Sequence, residues 1–135
     1  VTRMEVVLDF AAIAAARSAA GAAALASGDV VEIMPVPAKT LVLRVGYDVT
    51  TAEGATATFD LGDGSDTDGY LNDISLNSVA SGAMALTLAE AAPNTVAGYT
   101  NGKYYSAADT IDILLNNDGI NAAKVRVWAL VQDCA

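Results

Sequence analysis

Val125, Val127, Ala129 and Val131 occupy every second position of the segment KVRVWALVQD, Lys124 to Asp133. Two residues is the spacing at which side chains return to the same side of an extended backbone, so this stretch predicts a β-strand with one face against a core. The period recurs along the chain. TLVLRVGYDVT (Thr40 to Thr50) puts Leu41, Leu43, Val45, Tyr47 and Val49 on one face, with Arg44, Asp48 and Thr50 on the other. ATATFDL turns Ala55, Ala57, Phe59 and Leu61 inward and Thr56, Thr58 and Asp60 outward. AMALTLAE offers Met84, Leu86 and Leu88, and DTIDILL offers Ile111, Ile113 and Leu115. DVVEIMPV (Asp29 to Val36) is β-rich and stops at Pro35 and Pro37, and MEVVLDF near the start is a further candidate. The corners between these runs are AEG, GDGSDTDG, APN, TNG and NNDG, rich in the residues that turn a chain. The expectation is an all-β fold: an antiparallel sandwich or jelly roll of about seven to eight strands, with Leu43, Val45, Phe59, Leu86, Ile113 and Val127 in its core.

One segment breaks the pattern. AAIAAARSAAGAAALA, residues 11–26, holds eleven alanines and predicts a short helix, weakened in its second half by Gly21. Glu5, Asp9 and Arg17 interrupt the apolar run, so neither a signal peptide nor a membrane span is expected. The chain, 135 residues long, reads as a single domain. Residues 1–28 supply a strand and the Ala-rich segment, which packs on the domain or docks on a partner, and residues 29–135 supply the sandwich.

Composition narrows the chemistry. The chain has no histidine, which removes the commonest general base and metal ligand and every triad built on imidazole. Its one cysteine, Cys134, has no partner for a disulfide and no companions for a zinc site. Sixteen Asp and Glu against seven Lys and Arg give a net charge of -9, which repels nucleic acid and anionic membrane surfaces. No catalysis, no cofactor and no nucleic-acid or membrane partner is expected.

The densest cluster of polar residues is DLGDGSDTDGY, Asp60 to Tyr70. An EF-hand register with Gly69 as its central glycine puts Gly64 in the first ligand position and Ser75 in the last, so that pattern fails. A looser calcium site on Asp63, Asp66 and Asp68 stays open. The alternative is a turn in which Gly62, Gly64 and Gly69 supply backbone freedom and the carboxylates stay solvated. The other informative piece is GYTNGKYYSAADTI, where Tyr99, Tyr104, Tyr105 and Lys103 surround an Asn-Gly turn. Clustered tyrosines suit either a sugar or a protein interface, or are divided between core and rim. In the last strand Trp128 and Leu130 face away from the core phase. Trp128, Leu130, Tyr104 and Tyr105 are therefore the interface candidates.

The words VLRVGYDVTTAEGATATFDLGDGSDTDGYL, AMALTLAEAAPNTVAGYTNGKYYSAADTIDIL and VRVWALVQD resemble small virion proteins of tailed bacteriophages, the capsid decoration or cement proteins. The resemblance runs from Asp9 onward. It implies a β-sandwich on the outer surface of an icosahedral shell, bracing neighbouring capsomers, with the major capsid protein and further copies of itself as partners (a homotrimer first, a dimer second). It carries over no catalytic residues. A fibre module binding a receptor or carbohydrate is the competing reading, and a glycosidase the weakest.

Overall fold

The computed structural model describes residues 1–54, 56–84, 98–99 and 102–135. Among the described residues nine strands and one helix follow one another: β1 (Thr2–Asp9), α1 (Phe10–Ala19), β2 (Val30–Val36), β3 (Thr40–Thr51), β4 (Thr58–Gly62), β5 (Leu71–Ser75), β6 (Ala80–Ala83), β7 (Lys103–Tyr105), β8 (Asp109–Asn116) and β9 (Lys124–Asp133). They form two antiparallel sheets. The larger runs β1-β9-β3-β6, with β7 also on β3; the smaller runs β2-β8-β4-β5. The protein is an all-β sandwich, as its alternation predicts. Of the sequence-based expectations, Ala55, Leu86, Leu88 and Asn101 lie outside the described residues.

The inner faces hold the expected side chains. Val125, Val127, Ala129 and Val131 from β9, Ile111, Ile113 and Leu115 from β8, and Phe59 and Leu61 from β4 are buried together. Phe59 meets Tyr47 edge to face, ring centres 6.1 Å apart. β3 departs from its predicted phase. The ladder with β9 pairs Val42 with Val131 and Arg44 with Leu130, leaving Leu43 unmatched in a bulge. The extra residue flips the alternation upstream of it, so Val42 is buried and Leu41 and Leu43 are only half-buried. Leu43 was expected in the core; the bulge takes it out.

The helix is shorter than the alanine run because its ends are capped. Asp9 accepts a hydrogen bond from the Ala12 amide at 3.2 Å and starts it. Gly21, at φ +71°, ends it: its amide reaches the Ser18 carbonyl at 3.1 Å and that of Ala22 reaches Arg17 at 2.9 Å, a doubly bonded left-handed cap. Phe10, 1% exposed, ties the helix start to the core. No helix among the described residues is long and apolar enough to cross a membrane.

Candidate functional site

Two places in the sandwich gather the polar and aromatic residues singled out by sequence. The first is at one end, where the β4–β5 loop of the smaller sheet meets β7 of the larger. The loop doubles back over Gly62, where any side chain would strike the backbone of Asp66 and Thr67. It is closed by the Asp63 amide on the Asp66 carbonyl at 2.9 Å. This fold-back buries Asp63 completely, against the expectation that the carboxylates are all solvated. The reason is a full set of donors. Oδ1 accepts from the Ser65 and Asp66 amides, both at 2.9 Å, and from the Tyr99 hydroxyl at 3.0 Å. Oδ2 accepts from the Tyr105 hydroxyl at 2.7 Å and faces Lys103 Nζ at 3.0 Å.

The donors support one another. Since Tyr105 gives its proton to Asp63, the 2.6 Å contact between the Tyr70 and Tyr105 hydroxyls has Tyr70 as donor. Lys103 Nζ donates to the Tyr99 hydroxyl at 2.7 Å and stands 4.3 Å from the centre of that ring. Tyr99 in turn leans on Gly69, whose lack of a side chain leaves room for its ring. Burial pushes the Asp63 carboxyl up, but hydrogen bonds from Tyr105, Lys103, Asp66 and Tyr99 outweigh it and hold it below the usual carboxylate range. Burial opposes the charge on Lys103 too, and its bonds to Tyr99 and Asp63 raise its pKa above the usual value.

This arrangement is a staple between the two sheets, with a lysine already in the position of a counter-ion. Of the calcium candidates, Asp63 therefore has both oxygens engaged. The neighbouring Asp66 carboxylate, with burial second, raises the Asp68 carboxyl above its usual value. Among the described residues no group of three or more metal-binding side chains comes together. Tyr105, expected at an interface, is 4% exposed with its hydroxyl held between Tyr70 and Asp63, so it cannot anchor a partner. Tyr104, its neighbour on the strand, points the other way and is 51% exposed.

The second place is the outer face of the larger sheet. β1 and β9 pair Arg3 with Leu130, Glu5 with Trp128 and Val7 with Arg126. β9 and β3 extend these rows to Arg44, Gly46 and Asp48. Trp128 lies over Gly46, where a side chain would collide with its ring, and under the Arg3 guanidinium at 5.1 Å. Trp128 and Leu130 are half-buried on this face, away from the core, as their phase predicts. Opposite charges alternate around them. Arg3 meets Glu5 at 3.1 Å, Arg126 meets Asp48 at 2.6 Å and Lys124 meets Asp9 at 3.7 Å.

No protein-family profile matches the chain, and no curated protein matches it in sequence. Its fold, however, has counterparts among solved structures. A chain of the cyanophage Pam1 capsid asymmetric unit superposes with a TM-score of 0.57 at 14% identity, over 94% of this chain and 79% of that one. A chain of the acid-stable capsid of Helicobacter pylori bacteriophage KHP30 gives 0.51 at 11% identity, over 96% and 85%. The fold is one found in phage capsids. The likeness spans both sheets and is not confined to one hairpin, since nearly the whole chain is covered in each case.

Proposed function

We propose that this chain is a structural virion protein that binds the outer surface of an icosahedral phage shell, associates with further copies of itself and stabilises contacts between capsomers. The observation that carries this reading is the fold shared, over nearly the full chain, with chains of two phage capsids. The sequence resemblance to decoration proteins points the same way. The site chemistry supports it from another side. The fully buried Asp63 carboxylate is locked by five donors, and a carboxylate so engaged is not poised to take a proton from a substrate. The net charge of -9 opposes contact with packaged nucleic acid and favours the outer over the inner surface. Trp128 and Leu130, apolar and half-buried on a sheet face, are the contact residues of this reading.

The exposed Tyr104 favours the second reading, a fibre module that stacks a sugar or receptor on that ring. Copy number separates the two. Quantitative gel or mass-spectrometric analysis of purified particles should find this chain in numbers comparable to the shell protein. A handful of copies confined to fibres would overturn the decoration reading. Shells assembled without the chain and then incubated with the Trp128→Ala variant should bind it more weakly than the unaltered protein.

A further inference from the structure

Among the described residues β1 is the outermost strand of the larger sheet and pairs on one side alone, with β9, from Thr2 opposite Val131 to Asp9 opposite Lys124 without a register shift. Among the described residues the other edges are blunted. β2 carries Pro35 and a bulge between Glu32 and Met34. β5 has five residues and a left-handed Asp73 at φ +51°. β6 and β7 have four and three residues and share one side of β3. β1 has eight residues, no proline and no bulge. A long regular edge offers a row of free backbone donors and acceptors to another strand. Its core-side residues are also incompletely covered: Met4 and Val6 are half-buried, whereas Val125, Val127 and Ala129 on the next strand are at most 1% exposed. On its other side Val7 is 58% exposed.

We propose that β1 pairs antiparallel with β1 of a second copy across a two-fold axis, joining the two larger sheets into one. This names the surface for the self-association in the reading above and rests on it. The register follows from the side chains. Antiparallel partners must lie on the same face of the sheet, so a residue of β1 sits on the axis. Glu5 on the axis puts two like charges directly opposite, and Val7 there puts Glu5 opposite Asp9; both are unfavourable. Met4 on the axis pairs only Thr2–Val6 within the strand. Val6 on the axis pairs the strand from Arg3 to Asp9. It then places Met4 opposite Leu8 and Val6 opposite Val6 on the core side, extending the apolar row across the joint. On the outer side it sets Arg3 against Asp9 of the other copy, opposite charges at both ends. A two-fold joint of this kind makes a dimer and not the trimer that the sequence resemblance puts first.

The test is cysteine cross-linking of the purified chain in a Cys134→Ser background, together with sedimentation of the unaltered protein. Val6→Cys should give a disulfide-linked dimer on mild oxidation. Met4→Cys and Trp128→Cys should not, because neither residue faces its own copy in this register. The unaltered chain should sediment as a dimer at high concentration, and Arg3→Asp should raise the dimer Kd by about ten-fold. A monomer at every concentration, a trimer, or cross-linking at Trp128→Cys as efficient as at Val6→Cys overturns the proposal. Binding to stripped shells is scored separately. Loss of the dimer with shell binding intact removes this joint and leaves the virion reading standing. A dimer that does not bind shells does the reverse.

Discussion

Asp63 and the pair Asp60 and Asp112 are all buried aspartates, and their surroundings treat the negative charge in opposite ways. Asp63, at the rim, has a lysine, two tyrosines and two amides on its oxygens. Asp60 and Asp112 sit on strands of the smaller sheet, on its outer face. The Asp73 amide and the Asn116 side chain both donate to Oδ1 of Asp60, at 2.8 and 2.7 Å. Asp112 accepts from the Thr110 hydroxyl at 2.6 Å. No cation bonds to either among the described residues. Burial therefore raises both carboxyls, while in Asp63 its donors overcome the same penalty. Degree of burial alone does not decide whether an internal carboxylate stabilises the native state; the number and charge of its donors do.

The comparison breaks most sharply at Asp63→Asn. The substitution removes the charge that Lys103 and Tyr105 face and leaves the lysine largely buried without its counter-ion. The expected loss is about 3–5 kcal/mol in urea-induced unfolding. A change under about 1 kcal/mol, the value of an exposed ion pair, would show that the staple contributes little. Asp60→Asn should act in the other direction. Both existing bonds go to Oδ1, which an asparagine retains, and the buried charge is gone. A gain in stability is expected, because a carboxyl whose native pKa is raised by burial costs the folded state stability when it is ionised. A loss of stability there would mean that the second oxygen has an essential partner.

The smallest effect is in the pH dependence, and it sharpens the contrast. The native pKa of Asp63 is depressed, so its contribution is complete above the ordinary carboxylate value of about 4 and fades as pH falls through the lower native value. The native pKa of Asp60 is raised, so its penalty is absent in acid and grows as pH rises from that ordinary value through the higher native one. Stability measured from neutral pH downward should thus show the deficit of the Asp63→Asn variant and the advantage of the Asp60→Asn variant both shrinking in acid. The Asp60→Asn advantage disappears first, at the higher pH. Parallel curves for all three proteins would remove the electrostatic explanation of either site.

The sandwich was legible because β9 alternates without interruption and β4 and β8 space their core residues Phe59 and Leu61, and Ile111, Ile113 and Leu115, by two; a repeat of two is visible in a single strand without knowledge of its neighbours. The bulge at Leu43 was not, because TLVLRVGYDVT alternates just as well without it, and only the pairing of Val42 and Arg44 with β9 reveals the extra residue. β5 and β7 escaped because LNDIS and KYY are short and carry too few apolar residues to show a period. In the acidic loop Asp63, Asp66 and Asp68 look alike. What selects Asp63 is a lysine and two tyrosines from 36 to 42 residues away in sequence, a relation no local pattern contains. The outward phase of Trp128 and Leu130 was readable for the same reason as the core. The edge position of β1 among the described strands was not, because an edge is a property of strand order.

Trp128 is the only tryptophan in the chain. Its indole lies between the Arg3 guanidinium and the bare backbone of Gly46, on the outside of the sheet that β1 borders. A ring in that position is an optical probe of a single address. Its emission wavelength and quenching report solvent access on this face without any label. A new salt link that draws Arg3 away from the ring would alter the signal even though the indole itself touches nothing new. The protein thus carries a built-in fluorophore beside the surfaces proposed for assembly, readable in solution without a label.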